Sequence, residues 1–259
     1  MSKNLVVVPN FKDDPNREDR VFVKNSIFLW EQWCKKFDHN FLVIEEPVCD
    51  FDSLRVEMQK MWIMDILDHN EVNYDQVLVV DYDTYPIPNC PDIFEVAGGE
   101  FGAALDNGFG PQLNRSMTMY REHWFPHITT QMLNWDNYLN GGLLVYNKKH
   151  KVLFKAIQDF YYKHFKEVDI VNKDMENSQT IMNYLLIDLG IKIKVLPRSF
   201  NVLDFHMERF LMNSYLDDRG RLVDRDKNIM DCINVFHITN GSIRDQASEY
   251  LKFAIWKLQ

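Results

Sequence analysis

An apolar run, Val77-Leu78-Val79-Val80, ends abruptly in Asp81-Tyr82-Asp83-Thr84, two acids separated by one residue. Carboxylates so placed suit a small hard cation that keeps some of its coordination positions for a substrate diphosphate. The run itself reads as a strand buried on both faces, as in a mainly parallel sheet. Ligands of such sheets collect beyond the carboxyl ends of the strands, which is where Asp81 and Asp83 fall. Acids after strands also solvate turns and cap helices, so the pattern by itself leaves both readings open.

The elements that must position these acids follow an alternating pattern. Leu5 to Val8 reads as a first strand, Val21 to Phe37 as a helix, Phe41 to Ile44 as a second strand, and Leu54 to Leu67 as a second helix before the acid-bearing strand. Strands alternating with helices imply parallel βαβ units and an α/β class. Phe101 to Leu105, Gly141 to Tyr146, Ile193 to Leu196 and Val235 to His237 read as further strands. Val152 to Phe165, Ser178 to Leu189 and Ile243 to Leu258 read as helices, and Asp217 to Lys227 as a solvated loop or hairpin around Gly220. The stretch from Asn107 to Tyr138 shows no period sustained over its length and is expected to be a lid or acceptor surface, since long irregular connections are often functional.

With 259 residues, 46% of them hydrophobic, and only ten glycines and nine prolines, the chain is expected to form one domain over residues 1–259. A formal net charge of -9 argues against nonspecific nucleic-acid binding, which draws its affinity from basic groups neutralising phosphates. No secretory signal pattern and no apolar run approaching about 18 residues is seen, so a soluble, cytoplasmic protein without a membrane span is expected. Cys34, Cys49, Cys90 and Cys232 form no CxxC pair, which suggests neither a zinc cluster nor a redox motif.

Four segments, in order, carry a resemblance to a known family. Gln59-Lys60-Met61-Trp62 followed by Tyr74 to Thr84 resembles the helix-then-DxD segment of GT-A glycosyltransferases, particularly glycosyltransferase family 8 with its glycogenin and galactosyltransferase members. Tyr138-Leu139-Asn140-Gly141-Gly142 resembles their aromatic-x-Asn-Ser/Gly-Gly strand near the sugar site. Ser178-Gln179-Thr180-Ile181-Met182-Asn183 resembles their acid-Gln-x-x-x-Asn helix start. Phe236-His237-Ile238-Thr239-Asn240-Gly241 resembles the carboxy-terminal segment that supplies a third metal ligand. The similarity runs from about Leu5 to Gly241, and it is the order of these segments that gives it weight.

The resemblance implies a single GT-A, Rossmann-like domain. It also implies a metal site of Asp81, Asp83 and His237 for Mn²⁺ or Mg²⁺, and a UDP-sugar donor carrying glucose or galactose. Lys60 is expected to face the diphosphate, with Tyr82 between the acids in the same donor site. Val8, Pro9 and Asn10 are candidate uridine contacts, and Asp106, Asn107, Asn140, Gly141 and Gly142 are candidates for the donor sugar. Gln179 is expected at the anomeric centre. The family's acid is replaced by Ser178, for which Glu176 could substitute, and this puts a retaining outcome in doubt while leaving the fold expectation intact. Trp124, His127, Trp135 and Asp136 are candidate contacts to a glycan acceptor. Each has an ordinary reading too. Lys60 suits a solvent-facing helix position, His237 a strand end bonded to a carbonyl, Asn140-Gly141-Gly142 a turn, and the tryptophans a core.

Other functions remain in competition. A metal-dependent phosphohydrolase also begins with strand-Asp-x-Asp, but Tyr85 stands where it expects Thr or Val, and two strands precede this one. A nucleotidyltransferase lacks its glycine-rich loop after the first strand, and a dinucleotide-dependent dehydrogenase lacks GxGxxG. A noncatalytic carbohydrate-binding or interaction module would bind without turnover. For the transferase, Asp83→Ala is expected to abolish transfer and to leave the fold intact, as a site outside the core would.

Overall fold

Leu5, Val6, Val7 and Val8 are all buried, the pattern of a strand covered on both faces rather than on one. The computed structural model of the protein describes residues 4–12, 21–50, 54–106, 110–171, 177–203, 214–216, 222–224, 233–239 and 244–252. The central sheet is built from β1 (Leu5–Pro9), β2 (Asn40–Ile44), β3 (Val77–Val80), β5 (Phe101–Leu105), β6 (Leu139–Tyr146) and β7 (Ile193–Leu196), in the order β2-β1-β3-β6-β5-β7. Only β6 runs against the other five strands, pairing antiparallel with both β3 and β5. The chain passes from β1 to β2 on one side and then to β3 on the other. The carboxyl ends of β1 and β3 therefore border a topological switch point, where such sheets bind ligands.

Alternate side chains of the strands feed two cores. Val7, Val77 and Val79 pack with Met58 and Met61, with Met117 and Tyr120 of α5 (Gly110–His123), Leu153 and Phe154 of α6 (Lys151–Val171), and Ile181 of α7 (Asn177–Asp188). Val6, Val8, Leu78 and Val80 pack with Leu29, Trp30 and Trp33 of α1 (Val21–Phe37), Phe94 of α4 (Ile93–Ala97), and Leu251 of α8 (Arg244–Leu251). Each fully buried large side chain of this kind contributes about 1.5–3 kcal/mol.

The expected helix from Leu54 to Leu67 is broken into α2 (Val56–Gln59), a 3₁₀ turn Lys60–Trp62, and α3 (Ile63–His69). Gln59 forces the break locally. Its side chain accepts from Val48 N at 2.7 Å and donates to Cys49 O at 2.9 Å and Leu54 O at 3.2 Å, tying this segment to the loop before it. β6 begins at Leu139, so Asn140, Gly141 and Gly142 lie inside a strand and not in a turn before it. The Asn107–Tyr138 stretch is not irregular throughout, because residues 110–123 form α5. Leu113, Met117, Tyr120 and Trp124 recur at helical spacing and join the first core. The polar residues that fill the positions between them hide that period.

A second sheet, β4-β11-β8, joins β4 (Thr84–Pro86), β8 (Val202–Leu203) and β11 (Val235–His237). β9 (Ser214–Leu216) and β10 (Leu222–Asp224) pair antiparallel beside the expected charged loop. Residues 217–221 and 225–227 of that loop lie outside the described residues. So do the candidates Asn107 and Glu176, and Cys232, Asn240, Gly241 and residues 253–259.

One buried titratable group makes the fold itself sensitive to acid. His150 is 3% exposed and its Nδ1 accepts from Asn147 N at 3.1 Å. Burial, followed by the Lys149 ammonium, lowers its pKa from 6.5 to about 4. The folded state therefore binds fewer protons than the unfolded state between those values. Its contribution is fully present above the unfolded value and is lost as pH falls toward the folded one. Urea denaturation at pH 7 and pH 5 is expected to show a loss of about 2 kcal/mol from this group, and His150→Gln is expected to flatten the difference.

Candidate functional site

Asp81 N donates to Gly142 O at 2.9 Å, the last rung between β3 and β6. The chain then turns sharply. Thr84 N and Thr84 Oγ1 both donate to Asp81 O, at 3.1 and 2.6 Å. Thr84 O in turn receives Ser26 Oγ at 2.8 Å and Trp30 Nε1 at 3.1 Å from α1. The two acids thus sit on a turn pinned from both sides, which fixes where their carboxylates reach.

Each acid has a cationic partner. Lys60 Nζ lies 2.9 and 3.1 Å from the two Asp81 carboxylate oxygens and 3.0 Å from Gly141 O. At 9% exposure Lys60 is not a solvent-facing helix lysine; the 3₁₀ turn delivers it to the site. Arg244 Nη2 is 3.2 Å from Asp83 Oδ2, and His237 Nε2 is 3.3 Å from Asp83 Oδ1. Burial pushes the Asp83 carboxyl up, but the His237 ring in its protonated form, Arg244 and Lys60 outweigh it and hold its pKa below the ordinary aspartate value. Sequence reasoning missed Arg244. It opens α8, donates from Nε to Ile238 O at 2.9 Å and lies over the Phe22 ring at 5.2 Å. The available signal was a basic residue seven positions beyond His237.

His237 reaches the acids because β11 pairs with β4, in register His237↔Thr84, and Ile238 N donates to Asp83 O at 2.9 Å. Its Nδ1 is 2.9 Å from Asn201 Oδ1. Ligand atoms of Asp81, Asp83 and His237 all lie within 4.8 Å of one another. Two carboxylates and an imidazole, with no thiolate, form a donor set that fits Mg²⁺ or Mn²⁺ better than a soft ion.

On the β6 side a hydrogen-bonded cluster forms. Gly141 N donates to Gln179 Oε1 at 2.6 Å, and Gln179 Nε2 donates to Asp106 Oδ2 at 2.6 Å. Asn140 Nδ2 reaches the same Asp106 oxygen at 3.1 Å, and Asn140 Oδ1 accepts from Gly142 N at 2.8 Å. Gln179 and the buried Ser178 stand at the start of α7, locked to β6 by Asn183, whose side chain bonds both N and O of Leu139. Val8 and Pro9 end β1, Asn10 follows it, and all three are buried. Asn10 N donates to Ile44 O at 2.8 Å, while Asn10 Oδ1 is buried with no hydrogen-bond partner.

The other expected residues make the following contacts. Tyr82 packs its ring 6.0 Å from Phe22, toward α1. Trp124 packs against Tyr120 and Phe160 and donates to Glu167 at 3.3 Å. His127 pairs with Asp188 at 2.6 Å. Trp135 is 55% exposed and Asp136 is also on the surface.

No protein-family model matches the chain, and no curated protein matches it in sequence. Solved structures do match its fold. A glycosyltransferase involved in glycosylation of the major capsid of PBCV-1 aligns with a TM-score of 0.61 at 12% identity, over 95% of this chain and 98% of that one. Galactosyltransferase LgtC, in complex with donor and acceptor sugar analogs, gives 0.53 at 14% identity, over 98% and 97%. The bifunctional glycosyltransferase WbbM gives 0.56 at 13% identity, over 99% of this chain and 51% of that one. At such identities the likeness is one of fold, and it bears out the expected GT-A architecture. Among the described residues no helix is long and apolar enough to cross a membrane.

Proposed function

We propose that this protein is a metal-dependent glycosyltransferase that moves a hexose, glucose or galactose, from a UDP-sugar to a carbohydrate-bearing acceptor. The observation that carries the reading is the meeting of Asp81, Asp83 and His237, flanked by Lys60 and Arg244, at the switch point of a GT-A sheet. A divalent cation held by the three ligands supplies charge neutralisation for a departing diphosphate. Before any cation binds, the two carboxylates and the two basic side chains balance. Lys60 and Arg244 then remain as fixed donors for phosphate oxygens, already oriented by Gly141 O and Ile238 O.

The remaining residues suit a uridine nucleotide and a sugar. An orphaned buried acceptor such as Asn10 Oδ1 costs free energy in the free protein, and the N3–H of uracil is a donor of the right kind to satisfy it. Gln179, held by Gly141 and Asp106, would present its carboxamide at the anomeric carbon. Asp106 and Asn140 would take sugar hydroxyls. Asp106 also supplies a carboxylate against Gln179, where residue 178 offers only a hydroxyl. The phosphohydrolase alternative is disfavoured by Asp83 itself. A carboxylate buried against an arginine and held below its ordinary pKa is a poor proton donor.

Calorimetry tests the reading most directly. UDP is expected to bind the wild-type protein with Mn²⁺ and far more weakly without it, and Asp83→Asn is expected to lose the metal-dependent part. UDP affinity that ignores the metal, or no UDP binding in either condition, would defeat the proposal. Metal-dependent UDP binding with no turnover of UDP-glucose or UDP-galactose on any glycan acceptor would point to a noncatalytic binding module.

A further inference from the structure

We propose that Asn201 is a positioning residue of the metal centre. It accepts the Nδ1–H of His237 and so aims the Nε2 lone pair of that ring at the cleft between Asp81 and Asp83. This rests on the reading of those three residues as metal ligands. Asn201 is 1% exposed, and its Nδ2 donates to the carbonyl of Leu105 at 3.2 Å. A carbonyl only accepts, so the NH₂ end of the carboxamide is the end facing Leu105. The oxygen end therefore faces the His237 ring, at 2.9 Å from Nδ1. That oxygen also only accepts, so Nδ1 carries the hydrogen, and a neutral imidazole has one N–H. Nε2 is then the bare nitrogen. It faces Asp83 Oδ1 at 3.3 Å, acceptor to acceptor, an approach that a shared cation makes favourable.

The frame around Asn201 is rigid enough to do this. It follows a 3₁₀ turn, Arg198–Phe200, and precedes β8, whose Leu203 is in register with His237. Asn234 clamps the same segment, with its N bonded to Ser199 O and its Nδ2 to Ser199 Oγ, each at 2.8 Å. The ring also lies close against β6, where an added Cβ at Gly142 would fall 2.4 Å from His237 Cε1. Groups that orient a ligating histidine through its second nitrogen typically change metal affinity ten- to a hundredfold.

The test reads the ring directly. Side-chain nitrogen NMR of the full chain at mildly alkaline pH, assigned with a His237→Gln variant, is expected to show His237 as the Nδ1–H form in the wild type and in Asn201→Asp. In Asn201→Leu, which removes the acceptor at similar volume, the ring is expected to switch to the Nε2–H form and donate to Asp83. Calorimetric Mn²⁺ affinity is expected to fall about ten- to a hundredfold in Asn201→Leu and to stay within about threefold in Asn201→Asp. A wild-type ring protonated at Nε2, or wild-type Mn²⁺ affinity in Asn201→Leu, overturns the proposal. A wild type with no affinity for Mn²⁺ or Mg²⁺ overturns the metal reading itself, so the two failures are told apart. The wild-type tautomer needs no substitution, so it decides the matter even if Asn201→Leu does not fold.

Discussion

Asp83→Ala is expected to abolish sugar transfer and also to lower the stability of the protein by roughly 3 kcal/mol, as removal of one member of a buried ion pair does. The first effect follows from the loss of a metal ligand, worth several kcal/mol of transition-state stabilisation. The second departs from what the sequence implies, since an acid beyond the end of a strand looks external to the core. In the structure Asp83 is 7% exposed and bonds His237 and Arg244 through its side chain. Removing the carboxylate leaves a half-buried guanidinium without its anion. It also loosens the attachment of β11 and α8, which carry His237 and Arg244 to the site. Asp83→Asn separates the two effects. A carboxamide still accepts from Arg244 but is a weak ligand, so transfer is expected to vanish with a smaller loss of stability. Differential scanning calorimetry of the two variants, beside turnover of UDP-glucose and UDP-galactose, reads both. Equal melting temperatures for Asp83→Ala and the wild type would contradict the buried-pair argument.

The central sheet was legible because its strands are apolar runs bounded by polar turns, and the acids of β3 were legible because they interrupt such a run. What the sequence hid is what depends on partners distant along the chain. The direction of β6 leaves no mark in Leu143, Leu144 and Val145, which would be buried equally well in a parallel strand. Continuous helical spacing around Lys60 masked the 3₁₀ turn that buries it, because i to i+3 and i to i+4 contacts use similar positions. Asn201 sits between a three-residue turn and a two-residue strand, too short for any period to show. Arg244 reads as an ordinary helix opening until β11 places it against Asp83. His237 was found only by resemblance; its ordinary reading, a strand-end histidine on a backbone carbonyl, gives way to contacts with Asn201 and Asp83.

Gly142→Ala is expected to cost about a hundredfold or more in Mn²⁺ affinity, with transfer falling at least as far, because it displaces a metal ligand and its orienting bond together. The cause is contact and not backbone strain, since this glycine lies in the regular strand β6. The new Cβ would sit 2.4 Å from His237 Cε1, 3.0 Å from His237 Nδ1 and 3.0 Å from Asn140 Oδ1. Neither neighbour gives easily. Gly142 O is bonded to Asp81 N and the next residue pairs with Val80, so moving the strand moves the acids. Tilting the ring breaks its contact with Asn201 and turns Nε2 away from Asp83. Gly141→Ala is the matched control. Its Cβ meets Gln179 Oε1 at 3.3 Å and comes no nearer than 3.7 Å to Lys60 Nζ. It presses on the Gln179 carboxamide, on the sugar side and away from the acids, so Mn²⁺ affinity is expected to stay within a few-fold while transfer falls. Mn²⁺ titration of both variants distinguishes the two sides of the site. If Gly142→Ala binds Mn²⁺ like the wild type, His237 is not a ligand and the carboxylates hold the metal without it.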